Sequence, residues 1–214
     1  FKDIALTLLP YLLTGSKKKL GEKERTLILV ATSGDTGKAA LEGFRDVEGT
    51  DIIVFYPGDG VSKLQKLQMM TQSGKNVYVA AIKGNFDDAQ TAVKKIFTDK
   101  SVAEKLEEAG YRLSSANSIN FGRLVPQIAY YFSSYLDMVN AGEINKGDKV
   151  NFCVPSGNFG NILAGYYAKR MGLPVGKLIC ASNKNNVLTD FIKGGTYSVK
   201  REFFKTASPS MDIL

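Results

Sequence analysis

The chain has no histidine in its 214 residues. That excludes histidine-based catalytic triads and argues against a zinc site. Cysteine is almost as scarce. Cys153 and Cys180 form no metal-ligand spacing, and both lie in apolar strand-like runs of the kind that usually bury an inert thiol. No apolar stretch is long enough to span a bilayer, and no signal-peptide pattern is present. These absences predict a soluble protein of a reducing, cytoplasmic compartment with no membrane partner. Position 1 carries no methionine, and the closing Ser210-Met211-Asp212-Ile213-Leu214 has no stop-like character, which predicts an internal fragment.

Lysine and arginine number 28 against 21 acidic residues, a net charge of +7 that suits anionic small molecules. The basic residues are dispersed apart from Lys17-Lys18-Lys19, which reads as a solvated loop. There is no helix-turn-helix pattern and no aromatic-studded basic stretch, so no nucleic-acid partner is expected. At this length the chain can bury a proper core as one large domain or two small ones.

Two glycine-rich turns of one design stand out. Leu27–Ala31 runs into Thr32-Ser33-Gly34-Asp35-Thr36-Gly37, and Val150–Val154 runs into Pro155-Ser156-Gly157-Asn158-Phe159-Gly160-Asn161. Each reads as a buried strand, a small polar loop and a helix. Backbone N–H groups and the dipole at such a helix start favour a phosphate or carboxylate. Glycine admits positive φ and lets the backbone approach the anion. Two such loops predict two anionic groups held along one crevice.

Hydrophobic periodicity places these loops in an α/β chain. An apolar helix follows Asp3, kinked by Pro10 and ended by Gly15, and a charged loop spans Lys17–Arg25. Strands are predicted over Leu27–Ala31, Asp51–Tyr56, Asn76–Ile82 and Tyr111–Ser115. Helices between them carry Ala40, Phe44 and Val47, then Leu64, Leu67 and Met70, then Phe86, Ala89, Val93 and Ile96, on single faces. Right-handed crossovers would join the strands into a doubly wound parallel sheet. A longer helix, Phe121–Val139, puts Leu124, Ile128, Tyr131, Tyr135 and Met138 on one face, and Pro126 should bend it. A second βαβ series follows, with strand 150–154, helix Asn161–Met171 and strand Lys177–Ala181. The boundary near Gly122 gives a small domain over 1–122 and an incomplete larger one over 123–214. Gly194–Ser210 is polar and reads as loop.

Four blocks occur in one order: Phe1-Lys2-Asp3, Ala31–Gly37, Ala116-Asn117-Ser118-Ile119-Asn120 with Arg123, and Val154–Asn161. Together they resemble the β-family, or fold-type II, pyridoxal-phosphate enzymes. The Ala116–Asn120 block favours the threonine synthase family within that group. The resemblance covers nearly the whole chain.

The resemblance implies a cofactor, pyridoxal 5'-phosphate, bonded covalently to Lys2. As a free amine Lys2 would then move protons on the substrate carbons. A lysine desolvated between two domains has a lowered pKa and serves as nucleophile and base; on its own, Lys2 reads as a solvated chain-end residue. Asp3 reads as a helix-start carboxylate. Gly157, Asn158, Phe159, Gly160 and Asn161 would hold the cofactor phosphate, with Phe159 packing under the loop; otherwise the segment is an ordinary βα turn. Thr32, Ser33 and Thr36 would bind the substrate carboxylate, or Ser33 or Thr36 would simply cap the helix. Many fold-type II enzymes have asparagine at Asp35, donating to the cofactor ring oxygen, whereas threonine synthases commonly have aspartate. Either the site raises its pKa or it turns away to cap the helix. Asn117, Ser118 and Arg123 would hold a second phosphate on the substrate. Their alternative is a capped helix with a surface arginine.

The implied reaction converts O-phospho-L-homoserine and water to L-threonine and phosphate. Two other readings stay open. One is a phospho-lyase releasing a keto acid from a small phosphoamino acid. The other is a non-enzymatic phosphate- or nucleotide-binding domain. The resemblance also implies further segments on both sides of this chain, including the residue facing the pyridine nitrogen. Oligomeric state is not legible.

Overall fold

A computed structural model describes residues 2–198, 200–208 and 211–213. The chain divides into two compact units, Phe1–Arg123 and Leu124–Leu214. The first runs α1 (Lys2–Leu20), β1 (Arg25–Ala31), α2 (Asp35–Phe44), β2 (Thr50–Pro57), α3 (Lys63–Met70), β3 (Val77–Ile82), α4 (Phe86–Thr98), α5 (Lys100–Glu108) and β4 (Tyr111–Ser115). It ends in the first turn of α6 (Phe121–Asn140).

The four strands form one parallel sheet in the order β3-β2-β1-β4, with Ile28 opposite Ile52 and Ser114. Its two faces are both covered, which is why β1 reads as a continuous apolar run. Ile28, Val30, Ile52 and Val54 point to one core with Leu6, Leu9, Leu41, Phe44 and Met69. Leu29 and Ala31 point the opposite way, to Ala89 and Val93 of α4. The doubly wound α/β fold expected from the sequence is therefore present.

Helix α1 does not end at Gly15. It continues to Leu20, so Lys17, Lys18 and Lys19 form its last turn, where cations complement the helix dipole. Gly21 takes the left-handed conformation (φ 71°) that stops it. Pro10 is accommodated inside the helix. Having no N–H, it leaves the Leu6 carbonyl without its usual donor. That carbonyl meets α2 at Gly43, where a Cβ would stand only 2.3 Å from it.

Three other expectations change. Met69 is the buried side chain of α3, while Leu64, Leu67 and Met70 are exposed. Helix α2 stops at Phe44, leaving Val47 in the following turn. Helix α5 was not expected; it carries no fully buried residue, only the half-buried Val102 and Leu106 on one face, and Asp99 starts it by accepting from Ser101 and Val102 N–H.

The second unit continues α6 and adds β5 (Val150–Pro155), α7 (Gly160–Arg170), β6 (Val175–Ala181) and α8 (Val187–Gly194). Strands β5 and β6 pair in parallel. Val154, Ile162, Tyr131 and Tyr135 build its core, with Val139 rather than Met138 against it. The pleat sends Phe152 and Val154 to that core and Cys153 outward, so Cys153 is exposed and Cys180 half-buried, not the buried pair expected. Among the described residues, no helix is long and apolar enough to cross a membrane.

Candidate active site

Lys2 stands in the first turn of α1, and its side chain is only 18% exposed. Its Nζ lies 3.7 Å from Asp35 Oδ2. Burial pushes the Lys2 amine below the usual lysine range; Asp35 opposes this shift and Arg123 reinforces it. The amine is thus sheltered and held between one anion and one cation. Asp3, in the same turn, is exposed at the helix start.

The loop from β1 to α2 is built around Thr32. Its buried Oγ1 accepts from Gly34 N–H at 2.9 Å and from Gly37 N–H at 2.9 Å. Thr32, not Ser33 or Thr36, therefore satisfies the helix start. Gly34 adopts φ 139°, which explains a glycine here. Gly37 packs so closely that a Cβ would sit 2.6 Å from Thr32 Cγ2. Ser33 is half-buried. Asp35 does not lie buried: its side chain is 49% exposed, at the first helical position, paired with Lys2 and Gln65.

The turn before α6 faces that loop. Asn117 spends its amide on β1, accepting from Ala31 N–H (3.2 Å) and donating to Ala31 O (2.8 Å). It extends the β1–β4 ladder by one side chain. Asn120 starts α6, accepting from Gly122 N–H at 2.9 Å. Ser118 sits half-buried between them. Arg123 is no surface arginine. It is 2% exposed, donating to Ala116 O at 2.8 Å and to Thr36 Oγ1 at 3.4 Å. Lys2, Thr36, Asp35 and Arg123 are brought together in the first unit.

The second glycine loop lies wholly in the second unit. Gly160 is the first residue of α7, and no side chain caps that helix. Of its leading N–H groups, that of Asn161 donates back to Asn158 O at 3.4 Å; those of Gly160 and Ile162 precede any intrahelical acceptor and are oriented as an anion would need them. Gly157 and Gly160 are not among the glycines with positive φ, so strained backbone does not account for them. Phe159 is 45% exposed rather than packed under the loop, and Asn158 is exposed beside it. The half-buried Asn161 is anchored through its carbonyl, which accepts from Tyr131 Oη at 2.5 Å.

Gln65 was not singled out by sequence reasoning. Its signal was present in the Ser62-to-Gln65 spacing, which forms a capping box at α3.

Comparison with known proteins identifies the family. Residues 1–214 match the family described as pyridoxal-phosphate dependent enzyme. The chain is 48% identical over 221 residues to human threonine synthase-like 1, covering all of this chain and 29% of that protein. It is 46% identical over 214 residues to threonine synthase of Pseudomonas aeruginosa, covering 43% of it. The structure of pyridoxal-phosphate-bound threonine synthase from Brucella melitensis superposes with TM-score 0.82 at 43% identity, over 99% of this chain and 43% of that one. The chain thus spans less than half the length of these relatives.

Proposed function

The chain belongs to the pyridoxal-phosphate dependent enzymes, and we propose that the whole protein converts O-phospho-L-homoserine and water to L-threonine and phosphate. The observation that carries this reading is Lys2, a sheltered amine of lowered pKa in the chain's first described turn. Such an amine fits covalent attachment of the cofactor aldehyde. The uncapped start of α7, at Gly157–Asn161, fits the cofactor phosphate. When bound, pyridoxal phosphate supplies an electron sink for carbanions at the substrate carbons.

The chain's own residues supply the rest. Lys2 Nζ, whose pKa burial lowers, takes and returns protons at the substrate carbons. Asp35 stabilises that nitrogen whenever it is charged. Backbone N–H groups of the Ser33–Thr36 loop, with its hydroxyls, bind the substrate carboxylate. Arg123, pre-oriented by Ala116 O, offers its positive charge to the leaving phosphate, with Ser118 beside it. Asn117 acts by holding that turn to β1. A cytoplasmic setting is part of the proposal and accords with the free Cys153 and Cys180.

Borohydride reduction of the cofactor-loaded whole protein, followed by peptide mapping, tests the assignment. The label is expected on Lys2; a label on another lysine overturns it. Product analysis separates the synthase from a phospho-lyase, because only the synthase retains the amino group and adds water. Release of a keto acid in place of threonine would select the lyase.

A further inference from the structure

We propose that Gln65 is a positioning residue, which holds the Asp35 carboxylate against the Lys2 ammonium. Its Oε1 is occupied by Ser62, accepting from Ser62 N–H at 3.3 Å and Ser62 Oγ at 2.9 Å. That fixes the amide so that Nε2 points at Asp35 Oδ1, 2.6 Å away. The other carboxylate oxygen, Oδ2, faces Lys2 Nζ. Only one orientation of the Gln65 amide satisfies both sides.

The loop is shaped for this contact. A Cβ on Gly34 would stand 2.4–2.6 Å from three atoms of the Gln65 amide. Glycine at position 34 is required by its own φ of 139°, and its missing side chain leaves the Gln65 amide the space it occupies. Asp35 is half exposed, and an exposed carboxylate otherwise samples several rotamers. Through Gln65, the capping box of α3 removes that freedom and keeps a counter-charge beside Lys2. The charged groups acting on Lys2 are Asp35 on α2, Arg123 on α6 and Asp3 on its own helix. Of these, Asp35 is the one that accepts from the neutral Gln65 side chain of α3. Release of Asp35 leaves Arg123 and burial less opposed, and the Lys2 pKa falls. The catalytic consequence rests on the reading of Lys2 as the cofactor-bearing amine, whereas the contact does not.

The test is the pKa of Lys2 in the cofactor-free whole protein, read from the pH dependence of competitive acetylation at the Lys2 peptide. Gln65→Ala should lower it by about 0.5 unit or more, as expected when one of two charges some 4 Å apart is released. Gln65→Met, which fills the same space without a donor, should do the same and covers the case in which the alanine variant does not fold. In an Asp35→Asn background neither substitution should lower it further. An unchanged pKa in folded Gln65→Met overturns the proposal. So does an equal fall in the Asp35→Asn background, which would mean that Gln65 acts through general packing. Neither outcome depends on where borohydride places the cofactor, so failure of the functional assignment is seen separately.

Discussion

Arg123 Nη2 and Thr36 Oγ1, 87 residues apart in sequence, meet at 3.4 Å. This contact ties the turn before α6 to the start of α2, while Arg123 Nη1 bonds the Ala116 carbonyl at 2.8 Å. A buried arginine between two loops is both structural and electrostatic.

Arg123→Ala is therefore expected to have three effects. The buried Ala116 carbonyl loses its donor, at a cost of about 1–3 kcal/mol, visible in the denaturation midpoint. The Lys2 pKa rises, because a positive charge that lowers it has gone. Turnover of the phosphorylated substrate falls at least about tenfold, while a phosphate-free amino acid keeps most of its affinity. Equal losses for both ligands would show that Arg123 holds the fold and takes no part in phosphate recognition.

Gly157→Val and Gly160→Val should weaken pyridoxal-phosphate affinity far more than they lower the stability of the cofactor-free protein. Since neither glycine has positive φ, the effect should come from a side chain entering the anion's space. Unchanged cofactor affinity in both variants would place the phosphate elsewhere.

Tyr131→Phe probes the anchor of the same loop. Burial pushes the Tyr131 phenol up to about 12, so it stays a donor to Asn161 O at all working pH values. The ring keeps its edge contact with Phe152, 5.0 Å between centroids, in the phenylalanine variant. Loss of the hydroxyl should cost about 0.5–1.5 kcal/mol and reduce cofactor affinity by equilibrium titration. A loss of stability without a loss of affinity would limit Tyr131 to packing.

Gly43→Ala should destabilise the first unit by about 1–3 kcal/mol. The new methyl would meet the Leu6 carbonyl, backbone that cannot rotate away. Chemical denaturation measures the change. Gly15→Ala serves as the control, because nothing lies within 4 Å of a Cβ there; it should be neutral or stabilising.

Acid sensitivity is expected from Asp212. Burial alone would raise its pKa, but hydrogen bonds from Thr206, Asn183 and Asn185 outweigh it and hold the carboxyl below its ordinary 3.8. Because the folded value is the lower one, this stabilisation is complete above pH 3.8 and is lost as pH falls through the folded value. Asp212→Asn should lower stability at pH 7, with the difference from wild type shrinking in acid. A difference that stays constant with pH would rule out this linkage.

The order of elements was legible in the chain because it rests on local chemistry. Apolar runs between glycine-rich turns marked β1, β2 and β5, and helical spacing marked α2, α4 and α6. The Ser62-to-Gln65 spacing at the start of α3 carried the same kind of local signal, but it went unread. The local signal was too short to announce α5, where only Val102 and Leu106 share a half-buried face. It also failed to orient α3, since Leu64, Leu67 and Met70 make as good a stripe as the one carrying Met69. Only contact with β2 and α2 selects the buried face. The sheltering of Lys2 and Arg123, the capture of Asn117 by Ala31, and the choice of Thr32 over Ser33 were likewise decided in three dimensions. Each depends on a partner's position or on burial, and residue identity alone carries neither. Pro10 and Gly43 show the division most sharply. The sequence by itself determines that one removes a donor and the other lacks a side chain, but only the crossing of α1 and α2 turns those two absences into a single contact.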